Sequence, residues 1–405
     1  MSGSQKIVIA GAGQAGLWCA KALRLQGFTG EIVLIGDEPY PPYDRPPLSK
    51  AVLTGKATVE STFYLSARDL EDQGIDFRAN GEITAIDRTR KVVVTALEEV
   101  GYDQLILALG ARVRRVALQG ADSTDILYLR GIDDCLALRQ QLAPGRRVLV
   151  LGGGLIGLEV AAAATALGAE VAVVESADRV MARIVDAKVS RHFEALHRAH
   201  GVDILTGRTP TGIGERHGSK IIELADGGRV EGDLVIAGIG AIPNDAIAAA
   251  AGLPTGNGIW TDEFCRTDDP AIWAIGDVAN HFNPMFGRRL RLETWQNARA
   301  QGTTVARNLC GNRTSHAELP WGWSDQFGAN LQFLGLPEQD DVDVTRGSMD
   351  CGSFSVFYLR DGRMAGMVAV NAVSDVVVSR RLMAAKSKID PDKLADPSVP
   401  LKSLI

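Results

Sequence analysis

Four short apolar runs, each ending on glycine or an acid, organise the first half of the chain. Ile7-Val8-Ile9-Ala10 leads directly into Gly11-Ala12-Gly13-Gln14-Ala15-Gly16, and a helical stretch then runs to about Gln26, where Gly27 suits its stop. Ile32-Val33-Leu34-Ile35 follows and ends at Gly36-Asp37-Glu38. The same order returns later. Val148-Leu149-Val150-Leu151 enters Gly152-Gly153-Gly154-Leu155-Ile156-Gly157, an Ala-rich helix extends to Leu167 with Gly168 behind it, and Val171-Ala172-Val173-Val174 ends at Glu175. Uninterrupted apolar runs of this length fit strands buried on both faces of a parallel sheet. A third pair of runs, Leu105–Gly110 and Leu234–Gly240, strengthens the pattern of an internal duplication. Each is a strand that ends on glycine, where backbone can approach a ligand or another domain closely.

Each copy places a G-x-G-x-x-G turn between a strand and a helix, with an acid closing the next strand. That context, not the glycines alone, points to dinucleotide binding. The first glycine (Gly11, Gly152) makes the tight turn. The second (Gly13, Gly154) removes a side chain where a pyrophosphate must approach, and the third (Gly16, Gly157) lets helix and strand pack closely. The helix start then offers unpaired N–H groups and partial positive charge to phosphates. Asp37 and Glu175 are the candidate acceptors for ribose hydroxyls, with Glu38 competing for the first role. A carboxylate at Glu175 disfavours a 2′-phosphate, so NADH is the expected nicotinamide, and nearby Arg179 reads as a solvated surface arginine. A strand ending in Gly276-Asp277 is a further landmark.

After about residue 318 the texture changes to short strand-like runs such as Phe354–Leu359, then a helical segment near Val376–Ala385. The expected fold is α/β, with two Rossmann-like dinucleotide-binding domains plus a C-terminal α+β domain. Residues 1–110 with 241–318 form the first domain, 111–240 the second and 319–405 the third. The 405 residues suit two or three domains, and 46% hydrophobic with 23% charged residues is ordinary for globular chains. A net charge of −6 argues against nucleic acid as a partner. Five scattered cysteines, an uninterrupted entry into the first strand without a secretory core, and no long apolar segment predict a cytoplasmic protein with no membrane span.

Pro42–Lys50 (PYDRPPLSK), Leu151–Glu159 (LGGGLIGLE), Arg291–Ala298 (RLETWQNA) and Leu319–Gln326 (LPWGWSDQ) carry a family resemblance. The chain resembles the two-dinucleotide-fold flavoproteins that include glutathione reductase. It is more closely similar to the FAD-dependent NADH:ferredoxin reductases of bacterial oxygenase systems, over essentially its whole length. The resemblance implies that the first glycine turn holds FAD and the second NAD. Beyond Gly11, Gly13, Ala15, Gly16 and Asp37, it assigns Arg45, Lys50, Ile83, Arg130, Asp277, Glu293, Thr294 and Trp295 to FAD. On the NAD side it assigns Gly152, Gly154, Ile156, Gly157, Glu159, Glu175, Arg183, Gly238, Ile239, Gly240 and Trp321. Lys50, paired with Glu159, is implied near the reactive flavin nitrogen. A helix beginning at Thr294-Trp295 is implied near the pyrimidine side, where its dipole would favour reduced flavin.

No C-x-x-C or C-x4-C is present, and the stretch Tyr40–Lys50 contains no cysteine. Electrons are therefore expected to leave FAD for an external acceptor, and the resemblance implies a [2Fe–2S] ferredoxin that feeds a terminal oxygenase. Arg288, Arg289, Arg291 and Lys386 or Lys388 are candidate docking cations. Of the six histidines only His197 and His200 share helical spacing, and they read as a surface pair, so no metal is expected. The alternatives are an NADH:rubredoxin reductase and an oxidoreductase that doubles as a scaffold in the manner of apoptosis-inducing factor.

Overall fold

The computed structural model describes residues 5–121 and 125–405. The reading of the chain start rests mainly on residues 1–4 and lies outside the described residues. Two compact units emerge, one of Met1–Asp44, Val59–Arg112 and Ala241–Pro320, the other of Arg45–Thr58, Val113–Gly240 and Trp321–Ile405.

In the first unit a five-stranded sheet runs in the order Ile272–Ala274, Gln104–Leu107, Lys6–Ala10, Glu31–Ile35, Ile75–Arg78, every pair parallel. The central strand is apolar on both faces because both are covered. Ile7 and Ile9 pack in one core with Leu17, Leu23 and Val305, and Val8 and Ala10 in the other with Leu105, Val93 and Val278. Each fully buried isoleucine or leucine contributes roughly 1.5–3 kcal/mol. The helices Gln14–Leu25 and Trp295–Leu309 supply the cover on the first face.

The second unit holds the duplicate. Its parallel sheet runs Asp203–Leu205, Glu170–Val174, Arg147–Leu151, Leu234–Ala237, Leu127–Tyr128. This is the first sheet's order read from the other end. The register matches residue for residue: Gly11 N donates to Ile35 O and Gly152 N to Val174 O, both at 2.8 Å. Ala108 N donates to Ala10 O, and Gly238 N to Leu151 O, again at 2.8 Å. The third pair of apolar runs is therefore equivalent as well. The unit also contains an antiparallel five-stranded sheet in the order Trp321–Gln326, Ala329–Gly335, Arg363–Val370, Ser353–Arg360, Val342–Ser348. The helix after it spans Val373–Ala385, three residues longer at its start than the pattern suggested.

Three histidines are buried: His197 in the second unit, His281 and His316 in the first. Burial pushes His197 and His281 down to about 4 and His316 down to about 3. Below pH 6.5 the unfolded chain takes up protons these rings refuse, so stability is complete above that pH and falls as pH drops toward 4. Acidification from pH 7 to 5 should cost on the order of 2 kcal/mol per histidine. Thermal melts across that range check this, and a flat melting temperature would contradict it.

Candidate functional site

The first glycine turn shows why each glycine is there. Gly11 has φ +115, and a Cβ on it would stand 2.2 Å from Ala108 O. A Cβ on Gly16 would meet Gly11 O at 1.9 Å, which is the close helix–strand packing the third position requires. Gly13 differs: a Cβ there would meet nothing within 4 Å. The helix Gln14–Leu25 begins at Gly13 with no side-chain cap and no acid in its first turn. Its first N–H groups and its dipole thus face open space beside a position without a side chain, a cradle that fits a pyrophosphate.

The second turn repeats this geometry. Gly152 has φ +102 with a virtual Cβ 2.7 Å from Gly238 O, and that of Gly157 lies 2.0 Å from Gly152 O. Gly154 has only Gly238 O nearby, at 3.9 Å, and the helix Leu155–Ala166 starts there equally uncapped. Ile156, in its first turn, is an exposed large hydrophobic residue.

The two acids are not equivalent, which corrects the simple reading that a carboxylate closes the second strand in both copies. The matched hydrogen bonds make Gly36 the counterpart of Glu175. A side chain at Gly36 would press on Ala12, 2.9 Å away, whereas Gly153, the counterpart of Ala12, leaves room for Glu175. Glu175 Oε2 accepts from Gly153 N at 2.6 Å and Oε1 from Ala177 N at 2.8 Å, fixing the carboxylate at the turn's mouth. In the first copy Asp37 is exposed, while Glu38 accepts a hydrogen bond from Tyr43 at 2.5 Å.

Still in the first unit, Gly276-Asp277 follows the strand Ile272–Ala274 as a single 3-10 turn. Gly276 N donates to the buried Gln301 amide oxygen at 2.7 Å, and its Cα side abuts Ala15, so Asp277 is carried to the first helix's opening. Ile83 is buried in the apolar core and can offer a ligand only its backbone. Thr294 caps the helix Trp295–Leu309, its hydroxyl accepting from Asn297 N, and Glu293 pairs with Arg291. The Trp295 indole N–H lies 2.9 Å from Asp44 Oδ1 and 3.0 Å from the Tyr64 hydroxyl, which locks its ring.

In the second unit Lys50 Nζ lies 2.7 Å from Glu159 Oε2. Ser49 donates to the same oxygen at 2.5 Å and Ser324 to the other at 2.5 Å. The Glu159 side chain is 2% exposed and that of Lys50 21%, so a buried carboxylate aims a cation whose tip reaches outward. Arg45 donates to Arg130 O at 2.8 Å. Arg183 is exposed and its guanidinium approaches Gly240. Ile239 lies between Gly238 and Gly240, half-buried. Trp321 stacks on Trp323, with Arg380 over its ring and its N–H on Gln332.

Several readings change. Arg179 is not solvated: its guanidinium donates to Ala182 O, Val185 O and the Ser190 hydroxyl, tying a loop rather than facing a ligand. His197 is no surface residue but is buried on Gln326, while His200 remains exposed and stacks on Phe327. Arg289, exposed, lies over Trp260 and donates to Thr261 O and Asn280 O, and Arg291 is held by Asn257 and Glu293, so both guanidinium groups are partly engaged within the unit. Sequence reasoning gave no role to Ser49, Ser324 and Gln326, although the stretches Pro42–Lys50 and Leu319–Gln326 that carry the resemblance contain them. Among the described residues no His, Cys, Asp and Glu cluster could hold a metal, and no helix is long and apolar enough to cross a membrane.

Comparison with known proteins agrees with this geometry. Residues 5–302 match the model of the pyridine nucleotide-disulphide oxidoreductases, and residues 321–405 that of the reductase C-terminal domain. The ferredoxin–NAD(+) reductase component of an anthranilate 1,2-dioxygenase system from Burkholderia cepacia is 43% identical, covering 98% of each chain. A crystal structure of a ferredoxin reductase from Rhodopseudomonas palustris superposes with a TM-score of 0.95 at 40% identity, covering 98% of this chain and 99% of that one. The covalent putidaredoxin reductase–putidaredoxin complex gives 0.95 at 38% identity, covering 100% of this chain and 98% of the other. The chain belongs to the pyridine nucleotide-disulphide oxidoreductase family.

Proposed function

We propose that this protein is an NADH-dependent ferredoxin reductase that holds FAD on the Gly11 turn and receives NADH on the Gly152 turn. The observation that carries this reading is the duplicated cradle, two uncapped helix starts each beside a glycine facing open space. The FAD domain is residues 1–110 with 241–318, the NAD domain 111–240 and the C-terminal domain 319–405. Bound FAD supplies the conversion of one hydride from NADH into two single electrons. Asp37 holds the adenine-side ribose and Asp277 the ribityl hydroxyls, and Thr294-Trp295 brings a helix N-terminus to the flavin. Lys50, aimed by Glu159, would offer a fixed positive charge to the bound cofactor.

All five cysteines are free, so no disulfide is present to take the electrons. Cys19, Cys135 and Cys265 are buried, and burial pushes Cys135 up to about 11 and Cys265 well above the ordinary range. The acceptor is therefore external. The relatives' names point to a ferredoxin serving an oxygenase, and a [2Fe–2S] cluster suits the one-electron steps. Five free cysteines are what supports a cytoplasmic location, since reduced thiols suit a reducing compartment.

Docking cations stand on the first unit's surface. Trp18 lies between Lys21, 5.0 Å from its ring, and Arg299, 4.1 Å away, and Arg299 also lies over Trp295. Neither cation has a carboxylate partner among the described residues. Arg299→Glu should raise the KM for ferredoxin about 10-fold at low salt and leave NADH–ferricyanide turnover unchanged. Steady-state assays with both acceptors test this, and an unchanged ferredoxin KM would reject the patch.

Glu175 sets the nicotinamide preference. Its anchored carboxylate would meet a 2′-phosphate at close range, so kcat/KM for NADH should exceed that for NADPH by about 100-fold. Equal efficiencies would refute that role.

A further inference from the structure

The hydrogen bonds of Glu159 continue beyond Lys50. Ser324 Oγ, 2.5 Å from Glu159 Oε1, is followed by Gln326 Nε2 at 2.9 Å and then by His197 Nε2, 2.9 Å from Gln326 Oε1. All four side chains are buried, none more than 3% exposed. Strand alternation explains how one segment contributes twice. Gly322, Ser324 and Gln326 share the buried face of the strand Trp321–Gln326, against helix residues Glu159 and His197.

The direction of the row follows from its chemistry. A carboxylate only accepts, so Ser324 donates to it. The Ser324 lone pair then accepts from the Gln326 amide N–H, which turns the amide oxygen toward His197. His197 must therefore donate from Nε2 and stay neutral at Nδ1, in line with the lowering of its proton affinity by burial. A primary amide does not relay protons readily at neutral pH, so the row transmits orientation and not charge.

We infer that Ser324, Gln326 and His197 are positioning residues that hold the Glu159 carboxylate with Oε2 toward Lys50. The inference rests on the role of Lys50 proposed above. The terminal carboxylate torsion is broad, so only its hydrogen bonds fix it. Without Ser324 one buried oxygen loses its donor, and the carboxylate would rotate to share Ser49 and Lys50 between both oxygens. The ammonium would then lose the fixed position on which electrostatic preorganisation depends.

Rapid mixing of the flavin-loaded full chain with NADH tests this, reading the limiting rate of flavin reduction and the half-saturating NADH concentration separately. Ser324→Ala and His197→Leu should each slow the limiting rate about 10-fold, with half-saturation and flavin content unchanged. His197→Gln, whose amide keeps a donor at the Nε2 position, should restore the rate. Lys50→Met is run alongside. A slow Lys50→Met beside wild-type rates for Ser324→Ala and His197→Leu overturns the inference and leaves the role of Lys50 standing. A wild-type rate for Lys50→Met overturns both. A His197→Gln as slow as His197→Leu, or a loss confined to half-saturation or flavin content, also overturns the inference.

Discussion

Gly11→Ala should be recovered without flavin, whereas Gly152→Ala should retain its flavin and lose its reaction with NADH. The two substitutions make the same local error in two copies of one turn. Each puts a Cβ against a backbone carbonyl, 2.2 Å from Ala108 O in one case and 2.7 Å from Gly238 O in the other. Neither carbonyl can swing away, because Ala108 and Gly238 are held by their own N–H groups to the central strands. Each residue also sits at positive φ, which costs a side-chain-bearing residue about 1–3 kcal/mol on its own. The turn must shift, and with it the N–H groups that face the pyrophosphate. A loss of about 3 kcal/mol in binding is a factor of roughly 100 in half-saturating NADH. The ratio of visible to ultraviolet absorbance reports flavin content, and anaerobic NADH compared with dithionite reports reactivity. The opposite pattern, flavin lost from Gly152→Ala and kept in Gly11→Ala, would reverse the assignment of the two sites.

Glu159→Gln should slow flavin reduction by NADH about 100-fold and lower the melting temperature. The native carboxylate serves three donors, Lys50 and Ser49 on one oxygen and Ser324 on the other. An amide has one oxygen, so whichever way it turns its N–H2 faces donors. Removing the partner of a buried ion costs about 3–5 kcal/mol, and the partial exposure of the ammonium places the stability loss at or below the lower end. Rapid-mixing kinetics and thermal melts on the purified variant measure both effects. A variant that reduces its flavin at the wild-type rate would remove Glu159 from the mechanism.

Much of this molecule is readable in its sequence because the informative features are local. Ile7–Gly16 and Val148–Gly157 each compress a strand, a turn and a helix start into ten residues, and the first and third glycines of each motif have their own steric reasons. The three matched apolar runs of each copy are the three central strands of its sheet. What stayed hidden depends on residues distant in sequence. His197 looked like a surface residue because its helical spacing to His200 says nothing of Gln326, which lies 129 positions away. Ser49 and Ser324 meet at Glu159 across separations of 110 and 165. Arg179 looked solvated because an arginine's backbone partners cannot be read from its neighbours. Gly36 misled for a different reason: the acid expected at the strand end is displaced by the side chain of Ala12, a compensation visible only once the two turns are superposed.

The most direct test of the central claim is an anaerobic titration of the purified protein with NADH, followed by oxidised [2Fe–2S] ferredoxin and cytochrome c. The account predicts that one equivalent of NADH bleaches the flavin and that cytochrome c reduction then begins only when ferredoxin is added. Flavin that bleaches without passing electrons to any [2Fe–2S] ferredoxin, while rubredoxin is reduced instead, would contradict it.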